Sequence, residues 1–90
     1  MNDRMKEMLE DDAVVFPEFE HCIAGVVLQA NNGNRVVCYD YEKVIATLSK
    51  DMSEDEAIEH FYFNIAGAYL GEYTPCFLFR DTDADLVPDV

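Results

Sequence analysis

Apolar and polar positions alternate between two periods along this chain, and the switches between them mark its elements. Residues 3–12 predict a short helix, since Met1, Met5, Met8 and Leu9 recur at helical spacing and Asn2 or Asp3 can cap it. Asp11 and Asp12 oppose the macrodipole at the end of that helix and should fray it. Pro17 marks an irregular link or a strand start. Residues 20–30, EHCIAGVVLQA, are an apolar, β-branched run that predicts a strand, with Gly25 suggesting a bulge or a close backbone approach. Asn32-Gly33 predicts a two-residue turn into a return strand at 35–39, RVVCY, because a type I′ turn needs positive φ at both central residues. That turn would set Leu28 against Val37, Val27 against Cys38 and Val26 against Tyr39. Both faces of such a hairpin are apolar. One calls for helices, the other for the N-terminal segment or a second chain.

The period then lengthens. Asp40 caps a helix whose Tyr41, Val44, Ile45 and Leu48 form one stripe ending near Lys50. Ser53 and Glu56 form a capping box, with Glu54 and Asp55 adding acid to the first turn. The next stripe is Ala57, Ile58, Phe61, Tyr62, Ile65, Ala68 and Tyr69, while Glu56, Glu59 and Phe63 point away. Gly71 suits a left-handed stop, and residues 75–80, PCFLFR, predict a short last strand. The order α-ββ-αα-β predicts an α+β domain over residues 1–80: a small antiparallel sheet, made of the hairpin plus the C-terminal strand, covered by an antiparallel helix pair. Residues 81–90 predict an acidic tail.

Composition sharpens the surface. Nineteen acids against six bases give a net charge of −13. Such a chain repels nucleic acid and anionic membranes and is drawn to basic surfaces; the plainer account is solubility. The three cysteines, Cys22, Cys38 and Cys76, form no C-x-x-C pair and sit in apolar runs, as buried thiols in a reducing cytoplasm do. The charged start MNDRMKEMLEDD has no apolar core of a signal peptide, and no run approaches membrane-spanning length.

Candidate chemistry is sparse. Asp81, Asp83, Asp85 and Asp89 imitate EF-hand spacing, but Leu86 stands where that loop needs Gly and the closing Glu is missing. His21, His60 and the cysteines match no zinc spacing, and no nucleophile elbow or P-loop occurs. The reading is therefore non-enzymatic, with no catalytic residue, metal or cofactor. Asn64, at the edge of the apolar stripe, either ties the helix to the following loop or opens a small polar pocket with Tyr69, Glu72 and Tyr73. Phe63 among acids either anchors a partner or lies under the N-terminal helix or residues 13–19.

Tyr39-Asp40, Met52-Ser53, Glu56-Ala57, Phe61, Phe63-Asn64, Gly67-Ala68-Tyr69, Gly71-Glu72 and Thr74-Pro75 together resemble a family of small acidic proteins of tailed phages and prophages. The likeness covers residues 36–79, with Asp55 standing where the family pattern has a first Glu. The resemblance implies a phage origin and action in the host cytoplasm, and it brings no catalytic residues. Phage origin and charge together suggest docking on a basic host protein, as a nucleic-acid mimic does, through Glu54, Asp55, Glu56, Glu59 and Phe63. Two other readings stand beside it. One is an assembly module forming a homodimer through its apolar sheet. The other is a small-ligand binder or enzyme around Asn64 and Glu72.

Overall fold

The structure, a computed structural model, describes residues 1–80. The stretch 81–90, with its EF-hand-like aspartates and the expected tail, lies outside the described residues. The chain forms α1 (Asp3–Met8), a 3-10 helix (Pro17–Cys22), β1 (Ile23–Leu28), β2 (Arg35–Asp40), α2 (Tyr41–Leu48), α3 (Glu54–His60), a π-helix (Phe61–Ala66) and β3 (Cys76–Leu78). The α+β class holds. One three-stranded sheet, ordered β1-β2-β3, packs against the helices.

The helix starts follow their caps. The Asn2 side chain accepts from the Met5 N–H at 2.9 Å, and α1 stops at Met8, short of the acids at 11 and 12. The Asp40 side chain accepts from the Lys43 N–H, and Ser53 Oγ accepts from the Glu56 N–H. Each side-chain acceptor satisfies one of the N–H groups that a helix start leaves unpaired.

The 3-10 helix replaces the first part of the expected strand. Pro17 sits in its first turn, where a fixed φ helps and a missing N–H costs nothing. Phe19 sits at a kink inside this segment, with φ −114° and ψ 20°, and Cys22 ends it. Both are buried in the core.

The hairpin departs from the expected register. Val26 pairs with Val37 and Leu28 with Arg35, two residues from the type I′ alignment. Of the pair Asn32-Gly33 only Gly33 has positive φ, 74°, so the type I′ turn is not formed. The loop closes instead through the Gly33 N–H to the Gln29 carbonyl at 2.7 Å and the Gln29 N–H to the Asn34 carbonyl at 2.8 Å. A shift of two residues leaves each side chain on its expected face. The irregularity between Ile23 and Gly25 is the bulge that Gly25 suggested.

β3 corrects the all-antiparallel expectation. It pairs parallel to β2, with Cys38 opposite Cys76, Tyr39 opposite Phe77 and Asp40 opposite Leu78. Its link to β2 is the helical stretch and turn over residues 41–75, and a crossover of that length permits a parallel neighbour.

The core joins Val37 and Tyr39 of β2 to Phe19, Cys22, Val44, Ile45, Ala57 and Phe61. Met1, Leu9 and Phe16 pack on this same cluster, so the N-terminal segment shares the helix-covered side instead of taking the other face. Aromatic contacts carry β3 into it: Phe77 stacks on Tyr39 at 6.0 Å and meets the edge of Phe61 at 4.8 Å. Val36, Cys38 and Asp40, which alternate onto the opposite face, are buried as well.

Candidate functional site

Ser53, with the acids Glu54, Asp55 and Glu56 in the first turn, starts α3. Ala57 and Phe61 turn inward and are fully buried. Positions 56, 59, 60, 63 and 64 fall on another stripe by helical spacing. With Met52 they line an open groove of about 360 Å³, formed by Met52, Glu56, Glu59, His60, Phe63 and Asn64. Three of the residues expected to bind a partner, Glu56, Glu59 and Phe63, therefore meet in one depression. Glu54 and Asp55 are exposed in the turn before it.

Phe63 is 78 % exposed. Residues 13–19 do not lie over it as a cover would: Phe16 packs beside Tyr39 at 5.6 Å and Phe19 is in the core. The exposed aromatic stands beside carboxylates that carry no compensating charge. Among the described residues the ion pairs are Met1–Glu20 and Asp40–Arg80, so Glu54, Asp55, Glu56 and Glu59 are not in salt bridges.

Asn64 does not reach the following loop. Its Nδ2 lies 3.2 Å from His60 Nδ1 and donates to the His60 carbonyl at 3.3 Å, one turn back on its own helix. The polar pocket with Tyr69 and Glu72 is not formed, since both residues are exposed and neither lines the groove. The π-helix explains why Tyr69 leaves the apolar stripe. Its wider i→i+5 winding rotates later positions off the α-helical phase, and regular winding ends at Ala66. The joint between helix and strand is held by Thr74. Its Oγ1 accepts from the Leu70 N–H at 2.8 Å and donates to the Gly71 carbonyl at 2.6 Å. Gly71 has φ 98°, so the left-handed residue predicted there belongs to this turn and not to the helix end. The neighbouring Glu10 carboxylate pushes the Tyr73 pKa up.

Met52 and His60 also belong to the groove, a role the sequence does not suggest for either: there His60 enters only as a candidate metal ligand and Met52 only in the Met52-Ser53 pattern. His60 lies four residues from both Glu56 and Asn64, a spacing that would have found it. A second cavity, of about 230 Å³ and mainly apolar, is lined by Met1, Val15, Phe16, Pro17, Ile23 and Tyr39 together with Lys6 and Glu20. It arises from the fold of residues 13–22, which sequence periodicity alone misplaces.

Both histidines have side-chain partners: His21 Nε2 lies 2.8 Å from Thr47 Oγ1, and His60 faces Asn64. Among the described residues no group of three or more His, Cys, Asp or Glu side chains is gathered to hold a metal, and no helix is long and apolar enough to cross a membrane. No family model, curated protein or solved structure matches the chain.

Proposed function

We propose that this is a non-enzymatic accessory protein of phage type, which docks on a basic protein partner in the host cytoplasm through the α3 groove. The observation that carries the reading is the meeting in one groove of an exposed aromatic, Phe63, with the carboxylates of Glu56 and Glu59, neither of which is in a salt bridge among the described residues. Glu54 and Asp55 extend the negative surface to the helix start. The partner surface suited to this is basic, with an apolar or cationic group to cover the ring. A protein that handles nucleic acid has such a surface, and a chain of charge −13 competes for it in the manner of a phosphate backbone.

The test is a pull-down from host lysate at low and at high salt, with the wild type beside Glu56→Lys, Glu59→Lys and Phe63→Ala. Support is salt-sensitive capture of a nucleic-acid-handling protein that all three variants lose. Capture unaffected by the variants removes the groove from the reading.

A second reading is self-association through the sheet. It is favoured by exposed apolar side chains at both outer strands, Val27 and Leu28 on β1 and Leu78 on β3, with Phe79 just beyond. Light scattering on concentrated protein separates the two, because a strict monomer leaves only the groove.

A further inference from the structure

β3 is three residues long and is bound to the sheet along one strand, β2. At its first residue the sheet register sets Cys76 directly opposite Cys38, and both are free thiols. In-register residues on neighbouring strands share a face. Their Cα atoms lie about 5 Å apart in the usual strand spacing, inside the roughly 4.4–6.8 Å that a disulfide bridges. We propose that Cys38 and Cys76 are a reversible redox pair whose disulfide, formed by exchange with an oxidised low-molecular-weight thiol such as glutathione disulfide, staples β3 to β2.

The two cysteines differ in access. Cys38 is buried and Cys76 is partly exposed. Burial, with the Cys76 thiol beside it, pushes the Cys38 pKa up to about 12, so Cys38 keeps its proton and Cys76 meets the oxidant first. The Cys76 thiolate attacks one sulfur of the small disulfide and expels the first thiolate. Cys38 then gives up its proton and attacks the Cys76 sulfur of the mixed disulfide, expelling the second. Two protein thiols are oxidised, and one small disulfide is reduced to two thiols. Cys22 takes no part: it is buried in the helix-side core, with its Sγ 3.5 Å from Thr47 Oγ1.

The staple would close a ring around α2, α3 and the π-helix. Phe77, next to Cys76, packs on Phe61 at the head of the π-helix that carries Phe63. Oxidation therefore fixes the base on which the exposed groove is built, and reduction leaves it to the aromatic contacts and the short strand.

The experiment incubates the reduced full chain in glutathione buffers of rising oxidised fraction, then alkylates, maps peptides and measures Tm. The expected product is one intramolecular Cys38–Cys76 disulfide with Cys22 still a thiol. Tm should rise by roughly 10–20 °C and return on adding dithiothreitol. In Cys38→Ala the resolving thiol is gone, so Cys76 should accumulate a glutathione adduct with no gain in Tm. A wild-type chain that stays reduced, keeps the adduct on Cys76, or forms bridges through Cys22 or between chains overturns the proposal. The wild-type mapping decides the matter even where the variant fails to fold.

Discussion

The Tyr39 hydroxyl accepts a hydrogen bond from the Phe16 N–H at 2.6 Å, tying the link before the 3-10 helix to the central strand. Tyr39 is fully buried, and its ring also packs on Phe16 and Phe77. Tyr39→Phe keeps the rings and orphans the N–H. It should cost about 1–2 kcal/mol, read as a lower urea midpoint at unchanged slope.

The same burial makes the fold labile to alkali. Burial raises the Tyr39 pKa, against a smaller opposing effect of the Phe16 N–H, and pushes the Cys38 thiol up to about 12. Burial raises Tyr41 too. A raised folded pKa gives stability that is complete below the unfolded pKa and is lost as pH rises toward the folded one. Stability should therefore hold to about pH 7.5, begin to fall as an unfolded thiol ionises around its pKa of about 8.5, and continue down toward pH 12. Cys38→Ala should flatten the early part of that fall, and Tyr39→Phe the part above about pH 10, both followed by circular dichroism in a pH titration.

Asp40 serves two masters at the junction of β2 and α2. It is 2 % exposed, caps α2 through the Lys43 N–H, and accepts from Arg80 Nε. Burial pushes its pKa up, but the Arg80 hydrogen bond and the Lys43 N–H outweigh that and hold the carboxyl below its ordinary value. A depressed pKa gives stability that is present above the unfolded value, near pH 4, and is lost as pH falls through the folded one. Asp40→Ala should cost about 2–3 kcal/mol at neutral pH by removing cap and ion pair together. Asp40→Asn keeps a capping oxygen, so it should cost less and reduce the slope of acid unfolding. Arg80→Ala should reduce that slope as well, which assigns it to the pair.

What was legible in the chain was local. Asp40 and Ser53 announce their helices because a cap is settled by neighbouring N–H groups. Val44, Ile45, Ala57 and Phe61 announce the buried stripes because period decides face. The hairpin register was misread because Asn32 does not adopt the positive φ that its pairing with Gly33 suggests. The direction of β3 was not legible at all, because it depends on how the helices and turn over residues 41–75 carry the chain back. The groove was half visible: Glu56, Glu59, Phe63 and Asn64 stood out, but the π-helix that parts them from Tyr69 and Glu72 leaves no simple periodic mark.

Gly33 offers a test of the observed loop. Its φ of 74° lies in the left-handed region, and a Cβ there would meet no neighbour within 4 Å. The cost of a side chain is then backbone strain alone. Gly33→Ala should lose about 1 kcal/mol, and Gly33→Asn less, since Asn enters that region more readily. Equal losses in thermal unfolding would show that space and not φ limits the position.

Phe61 and Phe63 are two residues apart and should respond in opposite ways. Phe61 is 1 % exposed and meets the edges of Tyr41 at 5.0 Å and Phe77 at 4.8 Å. Phe61→Ala empties the centre of that cluster and should cost about 3–5 kcal/mol, enough to unfold much of the population of a small domain. Phe63 makes no aromatic contact among those that build the core and stands mostly in solvent. Phe63→Ala should change stability by no more than about 0.5 kcal/mol. If the groove docks a partner, the same change should weaken binding at least about tenfold, as truncation of an aromatic anchor does. Glu56→Lys and Glu59→Lys should instead act through charge, and their effect should shrink as salt rises, while that of Phe63→Ala should not. Parallel denaturation curves and titrations at two salt concentrations against the captured partner read both quantities from the same proteins.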